Sequence, residues 1–437
     1  MPDARRNLGY VGSLIFLLAL LLPIFLIKRA DTGWLLSSYF VAFGCYLHLW
    51  KHPNATFVFG LGLTARVGLF ATLPILSDDV FRFLWDGFLL KNGIHPFAEI
   101  PRFYLDSSVP GLTPELFEML NSKERFTVYP PLNQGLFWLS VTISDNWLVA
   151  TGFMRLLLLT VDIGTFVFLK KILVMKGKDP QLAFLYFLNP LVILEGVGNL
   201  HFEVLVIFFL TAGLYYFYKN ETWKAATAIG LAVGTKLLPL IFLPYFFFQE
   251  ITNRRITFTL LAGAVSVLTL LPLFSESFII GMKDSLGLYF QNFEFNPSLF
   301  YLAKQIGYAL TGTNQIAVVG PILSVLSMIS ILLISIAGIL RKWPVEKVLL
   351  FVLTAYLLLS TTVHPWYILP LIMLGLLSGY VYPLVWSLVI FITYAGYATT
   401  QYELSMWWVA LEYFIVVLAF IFNKSIKQWL TTSSSSL

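Results

Sequence analysis

Four charged residues at the end of an apolar run are the clearest candidates for chemistry in this sequence. Asp78 and Asp79 open the stretch "SDDVFRFLWDG", and Arg82 and Asp86 follow within it. Projected at about 100° per residue, the four side chains fall on one arc of a short helix. Neighbouring carboxylates repel each other, and partial removal from water favours their protonated form. A carboxylate in that setting can act as the general base that deprotonates a hydroxyl.

The same stretch has a purely structural interpretation. The polar arc is then the solvated side of an ordinary amphipathic helix, with Arg82 paired to Asp78 or Asp86. Gly93 and Pro96 are the residues expected to end the helix. We predict a short interfacial helix whose acidic face points to water or to a cavity.

The composition of the chain indicates the environment in which this helix lies. The chain has 437 residues, of which 58% are hydrophobic and 12% charged, with a mean hydropathy of +0.81. These values predict an all-α polytopic membrane protein with about thirteen or fourteen spans of near-crossing length, several of them shorter. The modest net charge of +5 gives no reason to expect a nucleic-acid partner, and the single cysteine, Cys45, excludes an intrachain disulfide. The expected spans are at roughly 10–27, 34–50, 56–76, 147–169, 182–195, 202–218, 223–235, 237–250, 256–274, 316–340, 345–362, 365–379, 381–397 and 406–423.

The placement of Lys and Arg in short loops predicts the orientation. With cytoplasmic N- and C-termini, alternate loops carry most of the basic residues, and Lys28 with Arg29 is the main exception. This alternation requires that residues 132–144 do not cross, so that segment is interfacial or re-entrant. The segment 10–27 is interpreted as an uncleaved signal anchor. We expect a single domain over 1–430, a large extracytoplasmic loop at 77–146 and a disordered tail at 431–437.

Further candidate residues fall on the same predicted side. Lys236 and His364 lie at turns and suit contact with an anionic phosphate, although Lys236 can also snorkel to the interface and His364 can cap a turn. Glu195, His201 and Glu203 cluster in "EGVGNLHFE". They suit acceptor binding or a structural polar network, and with Asp78 or Asp79 they could also hold a divalent metal.

Two other sites carry weaker signals. Arg66 and Asp162 both lie in mid-span, where an unpaired charge is costly, so we predict that they form a buried pair that fixes helix packing. Tyr129 in "YPPLNQG" either contacts sugar or lipid or forms part of a turn.

Several motifs in order resemble a known family. Beside "SDDVFRFLWDG" they are "GIHPF", "YPPLNQG", "NPLVILEGVGNLHFEVLVI", "GTKLLPLIFLP", "FNPSLF" and "HPWYILP". Together, over about residues 60 to 400, they resemble the bacterial polytopic mannosyltransferases, which are GT-C-fold enzymes similar to the GT87 polyprenol-phosphate-mannose-dependent transferases.

The resemblance implies a GT-C fold, a polyprenyl-phosphate-linked mannose donor and an acceptor hydroxyl on the extracytoplasmic face of a bacterial inner membrane. It implies Asp78 or Asp79 as base, Lys236, His364 and Arg82 at the donor phosphate, and Asp86, Tyr129, Glu195, His201 and Glu203 near the acceptor or behind the site. The acceptor is a glycan, a glycolipid or a protein. We expect no required metal, because a single phosphate leaves. The alternative is a polytopic transporter or lipid flippase, which also needs many helices and buried charges.

Overall fold

The structure is a computed structural model that describes residues 2–249, 254–291, 293–399 and 402–432. Within these ranges it is helical, and its extended pairing is the isolated bridge between Phe295 and Thr362. The α-helices in chain order are α1 (Pro2–Leu26), α2 (Thr32–Leu49), α3 (Ala55–Gly68), α4 (Asp79–Lys91), α5 (Pro114–Glu118), α6 (Pro131–Ile143), α7 (Trp147–Met175), α8 (Phe184–Phe187), α9 (Glu203–Tyr218), α10 (Thr222–Thr235), α11 (Leu243–Phe248), α12 (Arg254–Leu270), α13 (Glu276–Gln291), α14 (Leu299–Thr311), α15 (Ile316–Leu340), α16 (Val345–Leu359), α17 (Leu369–Ser378), α18 (Tyr382–Val389), α19 (Met406–Ile421) and α20 (Asn423–Thr432).

Apolar helices of membrane-crossing length confirm the class of protein that the composition predicts. In the described ranges, three are long and apolar enough to cross: Gly9–Leu26, Ile256–Leu273 and Ile316–Leu340. Two bent pairs raise the number to five if each is one span: Pro180–Phe187 with Val192–Gly198, and Met406–Ile421 with Asn423–Leu430. The protein is therefore a helical membrane protein, and the count of about thirteen spans stays a prediction. Of the predicted tail, residues 431 and 432 belong to α20, and 433–437 lie outside the described residues.

A buried ion pair ties α3 to α7, as predicted. Arg66 Nε donates to Asp162 Oδ2 at 2.7 Å, and both side chains are fully buried. Tyr186 donates to the other carboxylate oxygen at 2.8 Å, and Arg66 also donates to the Phe187 carbonyl. These bonds satisfy the charges in the apolar interior and join three segments of the bundle.

The helix that carries the acidic cluster is buried, and this corrects one expectation. α4 ends at Lys91, just before Gly93 with its positive φ of 71°, as the stop signals predict. However, Arg82 and Asp86 are 3% and 0% exposed, so this part of the polar arc does not face water. α4 is covered by α6, and a Cβ on Gly87 would lie 2.7 Å from the Phe137 carbonyl oxygen. The predicted solvated face is wrong at these two residues because α6 packs over α4.

α6 fits the expectation that residues 132–144 do not cross. It has 13 residues, which span about 20 Å at the rise of an α-helix. That length is well short of the hydrocarbon core of a bilayer, about 30 Å thick. α6 therefore serves as a cover for α4.

The two ends of the bundle differ in chemistry. α9 begins at Glu203 and ends at Tyr218, which donates to the buried carboxylate of Glu346. Lys176, just after α7, also binds Glu346, at 2.6 Å. Lys178 follows two residues later, and its Nζ and that of Lys427 lie 4.0 and 3.1 Å from the position of a Cβ on Gly379. Basic residues thus gather towards the Tyr218 end, and the candidate residues described next lie at the Glu203 end.

Candidate active site

The two aspartates that open α4 have different partners. Asp78 Oδ2 accepts a hydrogen bond from Arg29 Nη2 at 2.9 Å, and both side chains are partly exposed. Asp79 Oδ1 accepts from the amide of Asn121 at 2.8 Å. The charge of Asp78 is thus neutralised by a guanidinium, whereas Asp79 has a neutral donor.

Arg29 is a site residue that the sequence marked only as an exception to the charge pattern. Besides binding Asp78, it donates to the Leu76 carbonyl at 3.3 Å, and its guanidinium carbon lies 4.4 Å from the centre of the Tyr397 ring. The acidic and aromatic partners of Arg29 explain why this basic residue lies on the predicted outer side.

A distorted turn brings a second acidic group to the same end. Residues Val192–Gly198 form a π-helix, which is rare and often occurs at functional sites. Leu200 then adopts a positive φ of 62°, a strained conformation for a branched residue. Glu195 in this turn is fully buried and accepts from Tyr394 and, at 3.3 Å, from Asn199. Its Oε2 also lies 3.3 Å from His201 Nε2, without the alignment of a hydrogen bond.

Three rings form a stack beside this turn. The Trp366 ring lies between His201, at a centroid distance of 3.6 Å, and His364, at 4.3 Å. Phe295 covers His364 from another side at 4.3 Å. His364 is partly exposed, but its Nδ1 is buried and has no hydrogen-bond partner among the described residues.

The electrostatics of His364 favour a neutral ring. Burial, followed by the nearby His201 and Lys236, lowers the pKa of His364 well below its usual value. A neutral imidazole has one N–H to donate and one nitrogen to accept. His364 can therefore give a hydrogen bond to a ligand oxygen without carrying charge.

Lys236 lies beside the stack. It follows α10 in an extended conformation, and its ammonium group binds Glu203 at the start of α9. Its Nζ also lies 4.3 Å from the centre of the Tyr367 ring. The side chain remains about one-third exposed, at 32%, so the cation is accessible to a ligand.

A continuous series of contacts links these groups. Arg29 lies over Tyr397, whose ring stacks on Tyr394 at 5.9 Å, and Tyr394 binds Glu195. Glu195 then contacts His201, which begins the ring stack. The structure thus brings Asp78, Glu195, His201, His364, Lys236 and Glu203 together at one end of the bundle.

Arg82, Asp86 and Tyr129 form a separate cluster. Arg82 Nε binds Asp86 at 2.8 Å, which confirms one of the two predicted pairings, and Arg82 also donates to the Arg125 carbonyl at 2.9 Å. Gln134 holds the other oxygen of Asp86 at 2.8 Å. Tyr129 packs edge-on against Phe83 at 4.9 Å. This geometry favours bracing of the loop at 122–129 over contact with a donor phosphate.

Arg155 is a buried cation that the sequence did not single out. It is 1% exposed and donates twice to the Gly198 carbonyl, at 3.1 and 2.7 Å, and to the carbonyls of Leu69 and Thr72. These bonds join the segment before Asp78 to the strained turn at 198–201. Its place within an apolar run of α7 was the one available signal, because charges at that depth need partners.

Metal ligation has little geometric support in the described ranges. There, no group of three or more His, Cys, Asp or Glu side chains converges as ligands. Glu203 is engaged by Lys236, and Glu195 by Tyr394 and Asn199. The acidic groups thus have protein partners.

The site lies at one end of a polytopic helical membrane protein, and sequence comparison supplies its family. Residues 34–276 match the family described as "Alpha-(1->6)-mannopyranosyltransferase, N-terminal domain". Since this match covers more than half of the chain, the protein belongs to that family. The match includes Asp78, Asp79, Glu195, His201, Glu203 and Lys236, whereas His364 lies beyond it.

Two curated relatives carry the name alpha-(1->6)-mannopyranosyltransferase A. The protein from Corynebacterium glutamicum is 28% identical over 201 residues, which are 42% of this chain and 38% of the relative. The one from Mycobacterium tuberculosis is 23% identical over 216 residues, 47% of this chain and 41% of the relative. The matches therefore span about two fifths of the length of these relatives. No solved structure matches the chain.

Proposed function

We propose that the protein is an integral membrane mannosyltransferase that transfers mannose from a polyprenyl-phosphate donor to a hydroxyl of an acceptor, with formation of an α-(1→6) linkage. The observation that carries the proposal is the meeting of the aspartates, the His201–Trp366–His364 stack and Lys236 at one end of the bundle. A hydroxyl nucleophile needs a base, and a departing phosphate needs hydrogen-bond donors and positive charge. The relatives' names supply the sugar and the linkage.

In the proposed reaction the acceptor oxygen attacks the anomeric carbon of mannose. A new C–O bond forms as the bond from that carbon to the phosphate oxygen breaks, and the phosphate takes the electron pair. The acceptor proton goes to Asp79, which we favour over Asp78 because Asp78 is engaged in an ion pair with Arg29, whereas Asp79 is held by a neutral amide. Direct displacement converts a β-linked donor into an α-linked product.

Lys236 and His364 hold the departing phosphate in this proposal. The ammonium of Lys236 supplies the positive charge and neutral His364 supplies a hydrogen bond. Glu203 keeps Lys236 oriented, and Glu195 acts through His201 as a positioning residue. The reaction needs no metal, because one phosphate with a lysine partner requires little further neutralisation. An excess of EDTA should leave the initial rate unchanged, and a rate restored only by Mg²⁺ or Mn²⁺ would contradict this point.

We further propose that the site faces the extracytoplasmic side of a bacterial inner membrane, with both termini in the cytoplasm. The support is the gathering of basic loops around Lys176 and Glu346 at the opposite end, since basic loops remain cytoplasmic. The test is labelling of a cysteine placed at Asn121, beside Asp79, in a Cys45→Ala background. An impermeant maleimide should label it in intact spheroplasts. Labelling only after lysis would reverse the orientation.

Transfer itself is tested with the purified protein in nanodiscs. The donors are polyprenyl-phosphate mannose and, for comparison, GDP-mannose, with octyl α-mannoside as the acceptor. The expected product is an α-(1→6)-linked dimannoside formed from the lipid donor alone. Product formed only from GDP-mannose would refute the donor. Absence of any product, together with movement of the lipid-linked sugar across the bilayer when the protein is reconstituted in vesicles, would support a flippase instead.

A further inference from the structure

α14 presents two faces of different character. The polar face packs on the protein through the fully buried Phe300 and through Lys304, which binds Glu294 at 2.6 Å. Towards the C-terminal end of the helix, this face carries the exposed Tyr308 and Thr311. The other face is an apolar stripe that is exposed in the protein and falls within an arc of about 80° at helical spacing. The stripe consists of Leu299, Leu302, Ile306 and Leu310, which are 43%, 64%, 62% and 79% exposed.

The neighbours of α14 place it at the surface of the membrane. Residues 312–315 connect it to α15, a 25-residue apolar helix of membrane-crossing length, and Gly312 has a positive φ of 72° where the chain turns. α14 therefore lies where α15 enters the bilayer. A helix with one apolar and one polar face at that level is typical of a segment lying in the interface plane.

Aromatic residues mark the same level. Gln305 Nε2 lies 3.0 Å from the sulfur of Met406, the first residue of α19. Trp407 and Trp408, which follow, are 84% and 45% exposed. Exposed tryptophans concentrate at membrane–water interfaces, where an amphipathic ring is favoured. The stripe and the two tryptophans thus indicate lipid, rather than another protein, as the covering partner.

We propose that α14 is an interfacial helix whose apolar stripe inserts into the lipid bilayer on the face at which the candidate site lies. The polar face packs on the protein at Phe300 and is left in water at Tyr308 and Thr311. The argument for this contact with lipid uses none of the steps of the reaction proposed above.

The contact with lipid also supports one wall of the site. The chain that leads into α14 pairs with the segment before His364: Phe295 N donates to the Thr361 carbonyl at 3.1 Å, and Val363 N donates to the Phe295 carbonyl at 2.7 Å. Ser298 adds a bond to the Leu358 carbonyl at 2.8 Å. The phenyl ring of Phe295 then lies against His364. Anchoring of α14 in lipid thus holds the wall that positions this histidine.

The test uses a reporter at single positions of α14. In a Cys45→Ala background, cysteine is introduced at Leu302 or at Ile306 and labelled with the fluorophore NBD. Tyr308→Cys reports the polar face, and Leu333→Cys, exposed on α15, is the lipid-facing control. Each protein is placed in nanodiscs of phosphatidylethanolamine and phosphatidylglycerol. Quenching by doxyl-labelled lipid is compared with quenching by aqueous iodide.

The expected result is that probes at 302 and 306 behave like the probe at 333 and are quenched several-fold more by doxyl lipid than by iodide. The probe at 308 should show the reverse preference. Equal iodide quenching at 302, 306 and 308 would place the stripe in water and overturn the proposal. Quenching by neither agent at 302 and 306 would show a protein cover and would also overturn it. The two positions are independent, so a variant that fails to purify as a monodisperse protein is replaced by the other.

Discussion

At the residue scale, the two adjacent aspartates are distinguished by their neighbours. Asp78 lies in an ion pair with Arg29, whereas Asp79 is held by the neutral amide of Asn121. The sequence could not separate them, because Arg29 is 49 positions away from Asp78. The partners of the two carboxylates differ in charge, and this difference makes the choice of base testable.

Replacing Asp79 by Asn should lower kcat by about 10²–10⁴-fold with little change in KM, the usual loss when a general base is removed. Asp78→Asn should have a smaller effect, through Arg29. Steady-state assays with the lipid donor measure both. Asp145→Asn is the matched control, since its side chain is 75% exposed and binds Lys91. Full activity of Asp79→Asn would exclude it as the base.

His364 should make the protein less stable in mild acid. Because burial lowers its pKa, the folded state resists a proton that the unfolded chain accepts below about pH 6.5. Stability is then lost as the pH falls below 6.5, and His364→Gln should lose less because glutamine does not titrate. The measurement is Tm in detergent for both proteins between about pH 7.5 and pH 5.5, where the unfolded histidine titrates. An unchanged Tm difference over that interval would contradict the expectation.

At the element scale, the segment 192–201, which contains the π-helix and the strained Leu200, is held in place by bonds from other parts of the chain. Arg155 on α7 and Asn199 within the turn both bond to the segment before α4: Arg155 binds the carbonyls of Leu69 and Thr72, and Asn199 Oδ1 accepts from Leu76 N at 3.4 Å. Hydrogen bonds between these side chains and the backbone therefore link the position of the aspartates to that of Glu195.

Replacing Arg155 by Ala should lower both Tm and kcat, because each buried carbonyl left without a donor costs about 1–3 kcal/mol. Arg155→Lys keeps the charge but loses the fork of donors, so it should restore Tm more than it restores kcat. Thermal melting and the transfer assay are run on the same preparations. Leu156→Ala is the control, because Leu156 is next to Arg155 in the chain and its own side chain is 51% exposed. Recovery of both quantities in Arg155→Lys would show that a single cation suffices and that the fork of donors is not required.

At the scale of the whole molecule, the Arg66–Asp162 pair holds the bundle together away from the site. It joins α3 and α7 and, through Tyr186, the broken helix at 180–198. Loss of one partner leaves an uncompensated buried charge, whereas loss of both does not.

Arg66→Met and Asp162→Asn should each destabilise the protein by about 3–5 kcal/mol. The double variant Arg66→Met/Asp162→Leu should recover much of that loss relative to the single variants Arg66→Met and Asp162→Leu, because an apolar pair needs no compensation. A double-mutant cycle of unfolding free energies measures the coupling. Additive effects in the double variant would show that the pair contributes no coupling.

The amino-acid sequence by itself determined the membrane class, the Arg66–Asp162 pairing, the end of α4 and most of the residues of the candidate site. These follow from local properties: hydropathy, charge cost and turn residues. Tertiary structure alone decided that Arg82 and Asp86 face inward, because α6 covers α4. It also decided that Arg29 binds Asp78, that Trp366 separates the two histidines and that Arg155 braces the turn. Such contacts join positions far apart in the chain, and periodicity and spacing carry no information about which distant segments meet.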